Sequence, residues 1–191
     1  MYKMLRTGQL YQGEFEGRYI MADLYEFLMD KLQNVKKLAV MGVGSIFMAD
    51  DGAGIMVVER LKKVFIEDEY PRLRFYIGET APENFSGEIK RFNPCHLLVI
   101  DAADAHEKPG SIMCIEPEII GGISFSTHLL PLRIMTEYLQ RETGMGVTFL
   151  GIQHKDVTYG AAVTQEINEA VDEISGIIEK VLRVLCHGMT G

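Results

Sequence analysis

The sequence predicts a three-layer α/β/α fold with a mainly parallel, mixed, five-stranded twisted sheet. Three features predict it: short apolar runs rich in β-branched residues, helical patterns between most of them, and a glycine turn joining the first run to a helix. Strands that alternate with helices of this length are typical of βαβ units and a parallel sheet. The five predicted strands are Leu38–Val43, Leu73–Ile77, His96–Ile100, Ser111–Ile115 and Val147–Ile152.

Helical patterns fill most of the intervals between these runs. They cover Ala53–Val64, Asn84–Phe92, Leu129–Arg141 and Gln165–Leu185. The last helix carries a core-facing stripe at helical spacing, formed by Ile167, Val171, Ile174, Ile178, Val181 and Leu185. A similar stripe predicts a helix before the first strand, with Ile20, Leu24, Phe27, Leu28 and Leu32. The connection between the third and fourth strands is too short for a helical crossover, so these two strands can be antiparallel.

Composition restricts the function classes. We expect one α/β domain at residues 37–191, preceded by an extension at residues 1–36 with one helix. The sequence contains neither a long apolar run nor a signal-peptide pattern, which predicts a cytoplasmic protein without membrane insertion. The three cysteines are far apart, so a disulfide framework or a zinc pair is not expected. The net charge of −8 disfavours a nucleic-acid partner.

The glycine turn within residues 38–60 matches no common nucleotide motif. Phe47 stands where a dinucleotide fingerprint needs its third glycine, and no Gly-Lys-Ser/Thr of a phosphate loop follows. A nucleophile elbow needs glycine two residues before and two residues after its serine, but Val43 and Phe47 stand at these positions around Ser45. Two acids, Asp50 and Asp51, end the turn. Because Asp is a preferred N-cap residue, we interpret Asp50 as the cap of the following helix and leave Asp51 open between a cap and a site.

Two more polar residues are expected at the same edge of the sheet, where ligands of open α/β sheets collect. Asp101 ends an apolar strand, and a buried charge there is costly unless it has a partner. Its structural alternative is to accept hydrogen bonds from the following turn, a role that suits Asp104 better. His128 precedes a helix without an evident structural role, and only His154 competes with it. Asp51, Asp101 and His128 together form a ligand set suited to nickel or zinc.

At these residues the sequence resembles the hydrogenase maturation endopeptidases, which remove a short C-terminal extension from the large subunit of nickel–iron hydrogenases. The resemblance covers about residues 38–185. The family's first motif is Gly-x-Gly-Asn, an apolar loop and Asp-Asp/Glu-Gly, which here reads Gly42-Val43-Gly44-Ser45 and Asp50-Asp51-Gly52. The family's metal-binding residues match Asp51, Asp101 before Ala102, and His128 after Thr127.

Further segments are similar to the branch that matures hydrogenase 3, the formate-hydrogenlyase type, and to its archaeal relatives. They are Thr80-Ala81-Pro82-Glu83-Asn84, Pro109-Gly110, Pro131-Leu132 and Gly151-Ile152-Gln153. Two positions depart from the pattern. Ser45 replaces the usual Asn, and His154 stands where this branch often has Pro. Because Ser45 keeps a short hydrogen-bonding group, we expect the turn to survive.

The resemblance implies a cytoplasmic endopeptidase whose partner is the large-subunit precursor of a nickel–iron hydrogenase. Nickel, supplied mainly by the precursor, would be the recognition signal, and Asp51, Asp101 and His128 would complete its coordination. Zinc or cadmium could replace nickel in a crystal. Asp51 and Asp101 would be catalytic, either beside a metal that polarises the scissile carbonyl or with one Asp as general base on a water.

The apolar loop inside the first motif would contact the substrate, or else pack on the helix below it; its residues are Ile46, Phe47 and Met48. An alternative function is a non-catalytic metal-binding scaffold for maturation of the hydrogenase large subunit, which would use the same metal ligands without hydrolysis. A small-ligand hydrolase such as a peptidyl-tRNA hydrolase fits less well, because the chain is acidic and lacks nucleotide motifs.

Overall fold

The computed structural model describes residues 14–15, 18–20, 24–115, 124–125 and 129–188. The strands in this part of the chain are β1 (Glu14–Phe15), β2 (Arg18–Ile20), β3 (Leu38–Val43), β4 (Leu73–Glu79), β5 (His96–Asp104), β6 (Ile112–Ile115), β7 (Ser124–Phe125) and β8 (Gly146–Gln153). The α-helices are α1 (Leu24–Leu32), α2 (Ala53–Val64), α3 (Ser86–Phe92), α4 (Leu129–Thr143) and α5 (Gln165–Gly188). Short 3-10 helices, Ala49–Gly52 and Pro82–Phe85, precede α2 and α3.

The strands form one mixed sheet in the order β1-β2-β6-β8-β5-β3-β4, and β7 pairs with β5. Strands β8, β5, β3 and β4 are parallel, whereas β6 is antiparallel to β8. The predicted strands correspond to β3, β4, β5, β6 and β8, so the mixed, mainly parallel sheet is confirmed. Strands β5 and β6 run in opposite directions, as the short connection allows, but β8 lies between them.

Helices cover both faces of this sheet, which confirms the three-layer fold. Along β3, Leu38 and Val40 pack in an apolar cluster with α1, α2 and α5. Ala39 and Met41 point to the other face, where α3 and α4 supply the cluster. Because β3 is buried on both faces, its sequence is a continuous apolar run rather than an alternating one.

The core stripe of the last predicted helix is confirmed, because all of its members are buried along α5. The prediction that Ile20 belongs to the N-terminal helix is wrong. Ile20 lies in β2, where it pairs with Met113 of β6, and helix α1 begins only at Leu24. Pairing with the edge of the sheet outweighs the helical spacing here. Within the described ranges, no helix is both long and apolar enough to cross a membrane.

Helix α2 begins in direct contact with the strands of the sheet. A Cβ atom placed on Gly54 would lie 2.1 Å from the carbonyl oxygen of Ile100 in β5 and 2.7 Å from that of Val43 in β3. Only a residue without a side chain permits such an approach. The 3-10 helix that precedes α2 therefore lies at the carboxyl ends of β3 and β5.

His96 lies at the opposite edge, where β5 begins. It is 8% exposed, and its Nε2 atom is 2.9 Å from the hydroxyl of Thr148 on β8. Burial lowers the pKa of His96 from 6.5 to about 4, because the charged imidazolium is poorly solvated there. The histidine is therefore neutral in the folded protein at neutral pH.

Acid is expected to destabilise the protein through His96. The pKa of His96 is lower in the folded protein than in the unfolded chain, so the unfolded chain binds more protons between these two pKa values. The free energy of unfolding therefore decreases as the pH falls from about 6.5 to about 4. The expected loss in the free energy of unfolding is about 3 kcal/mol. Urea unfolding at pH 7 and pH 4.5 measures it, and His96→Gln is expected to reduce the difference between the two pH values.

The matched control is His106→Gln, because the side chain of His106 is 89% exposed. This variant keeps His96 and is expected to retain the loss of stability in acid. An equal loss in the His96→Gln variant and in the unsubstituted protein would contradict the prediction.

Candidate active site

The loop after β3 turns sharply at Gly44. Its φ angle is +124°, and a Cβ atom there would lie 1.8 Å from the carbonyl oxygen of Asp51. The Gly44 N–H donates to the carbonyl oxygen of Glu79 at 3.1 Å, which ties the turn to the end of β4. The hydroxyl of Ser45 accepts a hydrogen bond from the Phe47 N–H at 3.4 Å. Ser45 therefore supplies a hydrogen bond within the turn, as expected for a short polar residue in place of the family's Asn.

Asp51 is held by this turn. It lies in the 3-10 helix Ala49–Gly52 and is 7% exposed. Its Oδ2 atom accepts a hydrogen bond of 2.7 Å from the Ser45 N–H. The N-cap positions of the 3-10 helix and of α2 are Met48 and Gly52, and neither helix has a side-chain cap. Of the two alternatives for Asp51, the helix cap therefore does not describe this residue.

Asp101 lies in the neighbouring strand at the same edge of the sheet. It is fully buried in β5, and its Oδ1 atom accepts a hydrogen bond of 2.9 Å from the Ala102 N–H. Its neighbour Ile100 pairs with Gly42 of β3, shortly before the turn that holds Asp51. The 3-10 helix that carries Asp51 also contacts β5. The structure thus brings these two carboxylates to one edge, as predicted.

The third predicted ligand, His128, lies outside the described residues. On either side of it, Phe125 pairs with Ala103 in β5, and α4 begins at Leu129. Among the residues that the structure does describe, no three His, Cys, Asp or Glu side chains are grouped closely enough to hold a metal ion. The described part of the site consists of two carboxylates.

The prediction that Asp50 caps the following helix is wrong. Its carboxylate turns away from α2 and accepts hydrogen bonds from the N–H groups of Lys155 and Asp156, both at 2.9 Å. It also accepts bonds from the N–H of Thr164 at 2.7 Å and from its hydroxyl at 3.0 Å. Thr164 immediately precedes α5, so Asp50 does lie at a helix N-terminus, but at that of a helix far away in the sequence.

Gln153 organises the loop after β5, a role that its sequence motif alone does not predict. Its Oε1 atom accepts hydrogen bonds from the N–H groups of Ala105 at 2.8 Å and Glu107 at 3.2 Å. Asp104 is the turn residue that its position predicts, and the N–H of His106 lowers its pKa below the usual range. A polar residue at the end of an apolar strand was the available signal for Gln153.

His154, the predicted competitor of His128, follows β8. Its N–H donates to the carbonyl oxygen of Ala103 at 3.3 Å, which keeps it beside β5. Its Nδ1 atom is buried, and no hydrogen-bond partner for this atom is found within the described part of the chain. His154 therefore lies at the same edge of the sheet as Asp101.

Exposed apolar side chains stand next to the buried acids. Ile46 is 59% exposed and Phe47 is 64% exposed, whereas Met48 is partly buried. On the loop after β8, Tyr159 is 76% exposed. The Gly160 N–H donates to the carbonyl oxygen of Phe47 at 2.8 Å, so the two loops are in contact. Most of the surface of Ile46 and Phe47 is therefore exposed, which favours a substrate contact over packing on the helix below.

Comparison with known proteins identifies the family. The family description "HycI: Hydrogenase maturation protease" matches residues 55–181. A predicted hydrogenase maturation protease of Methanocaldococcus jannaschii is 33% identical over 164 residues, which is 84% of this chain and 96% of that protein. The hydrogenase 3 maturation protease of Escherichia coli is 34% identical over 135 residues, or 69% and 82% of the two chains.

The fold comparison agrees with the sequence matches. The crystal structure of a NiFe hydrogenase maturation protease, HycI, from Thermococcus kodakarensis has a TM-score of 0.75 and 26% identity to this chain. The alignment covers 82% of this chain and 99% of that one. With its two carboxylates at one edge of an α/β/α sheet, the chain belongs to the HycI family of hydrogenase maturation proteases.

Proposed function

We propose that this endopeptidase removes a C-terminal peptide from the nickel-loaded large-subunit precursor of a nickel–iron hydrogenase, with Asp51, Asp101 and His128 as its site. The observation that carries the proposal is that Asp51, in the 3-10 helix after β3, and Asp101, in the adjacent parallel strand β5, lie at the same edge of the sheet. Both acids are buried and positioned by backbone N–H groups in a member of a protease family.

The donor atoms of this site fit a borderline divalent metal. Two carboxylates and one imidazole suit nickel or zinc, and such a set leaves coordination positions open. Phe125, which precedes His128 in the chain, pairs with Ala103 of β5, the strand that carries Asp101. With few ligands of its own, the protein would bind nickel that the precursor also holds. Cleavage would then depend on nickel, because a precursor without metal lacks this contact.

Asp51 and Asp101 have a role in both candidate mechanisms, one assisted by a metal and one that uses an aspartate as general base. A bound metal would polarise the scissile carbonyl group as a Lewis acid. Alternatively, Asp51 or Asp101 takes a proton from the attacking water as a general base. In both cases the Ser45 N–H keeps one oxygen of Asp51 in place. We propose that the reaction takes place in the cytoplasm, as the resemblance implies.

The apolar loop next to the site is the proposed contact for the precursor. Ile46 and Phe47 expose large apolar side chains that the fold leaves uncovered, and Met48 is adaptable in shape. Exposed apolar groups beside a site are typical of surfaces that bind a protein partner. Their burial against the precursor would contribute binding energy outside the scissile bond.

Substitution of either acid is expected to stop precursor processing. Asp51→Asn and Asp101→Asn remove a charged ligand or base, so each should lower the rate of cleavage at least about 100-fold. His128→Ala should act in the same direction. Mass spectrometry of the cognate large-subunit precursor, with and without nickel, measures removal of the C-terminal peptide. The nickel-free precursor is expected to remain uncut.

The control for this experiment is Asp172→Asn. Asp172 lies on α5, has a side chain that is 72% exposed and pairs with Arg60, so its loss should leave cleavage unchanged. An Asp51→Asn variant that cleaves at the normal rate would refute the proposed site. If the unsubstituted protein forms a stable complex with the nickel-loaded precursor but leaves its C-terminus intact, the scaffold function replaces the protease function.

Substitution in the apolar loop is expected to weaken substrate binding rather than the chemical step. Ile46→Ser should raise KM about five-fold, because less apolar surface is buried in the complex, and should leave kcat nearly unchanged. Ile134→Ser on α4 is the matched control, since both isoleucines are 59% exposed. Steady-state cleavage kinetics measure the two constants. An equal KM for the two variants would show that the loop does not contact the precursor.

A further inference from the structure

Asp50 combines complete burial with an unusual set of partners. Its side chain is 0% exposed. Its carboxylate accepts hydrogen bonds from the N–H groups of Lys155, Asp156 and Thr164 and from the Thr164 hydroxyl. The ammonium group of Lys155 binds Glu166 instead, at 2.6 Å. The carboxylate is thus bound through backbone N–H groups and one hydroxyl, at the N-terminus of α5.

These bonds join the two loops that border the site. The first loop, residues 44–52, carries Asp51 and the exposed side chain of Phe47. The second loop, residues 154–164, carries the exposed side chain of Tyr159. The Asp50 N–H also donates to the carbonyl oxygen of Asp156 at 3.0 Å, and the Gly160 N–H donates to that of Phe47 at 2.8 Å. Asp50 is the buried centre of this contact.

The position of Asp50 in the chain connects this contact to the site. Asp50 and Asp51 are adjacent in one 3-10 helix of four residues, so a shift of one displaces the other. Asp51 is held on its other side by the Ser45 N–H at 2.7 Å. Without the bonds to the Asp50 carboxylate, the first loop would keep only the backbone bonds from the Asp50 N–H to Asp156 and from the Gly160 N–H to Phe47 as its attachment to the loop of residues 154–164. Fixed reacting groups are what an efficient site requires, because small displacements lower the rate strongly.

We propose that Asp50 is a positioning residue for the cleavage reaction, because its buried carboxylate fixes the 3-10 helix that carries Asp51 against the loop of residues 154–164. This inference rests on the proposed function. Asp50 does not touch the substrate in this role. It sets the position of Asp51 and, through the second loop, the position of Tyr159.

Asp50→Asn tests the inference, because it preserves size while it replaces one acceptor oxygen with a donor. When the remaining side-chain oxygen of the Asn accepts from Lys155 and Asp156, its NH2 group faces the Thr164 N–H. Two donors then face each other, and the hydrogen bond to the Thr164 N–H is lost. We expect kcat for cleavage of the nickel-loaded precursor to fall at least about ten-fold. We also expect faster amide hydrogen exchange in residues 155–160 at a temperature well below unfolding. Thr164→Val, which removes only the hydroxyl contact, should give a smaller loss of kcat.

Val171→Ala is the control for a general loss of stability, because Val171 is fully buried in the core stripe of α5. This variant should lower the melting temperature but leave kcat unchanged at a temperature where it is folded. If the Asp50→Asn variant keeps the normal kcat, or if the Val171→Ala variant at equal melting temperature loses as much activity, the positioning role is overturned. Failure of the unsubstituted protein to cleave would instead overturn the proposed function, and the inference with it.

Discussion

The close packing of α2 on the sheet is the constraint on which the site depends. A Cβ atom on Gly42 would lie 2.4 Å from the carbonyl oxygen of Gly54, and one on Gly54 would lie 2.1 Å from that of Ile100. Backbone therefore packs directly on backbone where β3, β5 and α2 meet. Side chains at these positions would push the helix away from the strands. The 3-10 helix with Asp51 would then move away from Asp101.

Two adjacent acids in one 3-10 helix serve different parts of the molecule. Successive side chains in this helix point about 120° apart, since it has about three residues per turn. Asp50 turns toward the loop after β8 and the start of α5, whereas Asp51 turns toward the Ser45 N–H. The short helix thus separates a buried structural carboxylate from one at the site.

The sequence predicted the elements of the fold well because their signals are local. The buried strands are continuous apolar runs, and the stripe of α5 repeats at helical spacing, so neither depends on knowledge of distant partners. The edges of the sheet were harder to predict. Ile20 fits a helical stripe, and only its pairing with Met113 reveals that it belongs to a strand.

The contacts around the site were predicted in part. Asp101 was identified because a charged residue ends an apolar strand, which is again a local signal. The partner of Asp50 was not, because Thr164 is 114 residues away and no periodicity connects the two. The role of Gln153 depends in the same manner on the loop after β5, 48 residues earlier in the chain. Hydrogen bonds between distant loops leave little trace in a single sequence.

The site combines a fixed interior with an uncovered apolar rim, and this combination suits a protein substrate. Asp51 and Asp101 are buried and oriented by backbone N–H groups, so their positions change little when a partner binds. Phe47 and Tyr159, in contrast, expose most of their surface on loops that are hydrogen-bonded to each other. In the proposed function, a large precursor would cover such a rim, remove water from the carboxylates and strengthen their interaction with a cation. Docking of the precursor and activation of the proposed site would then be one event.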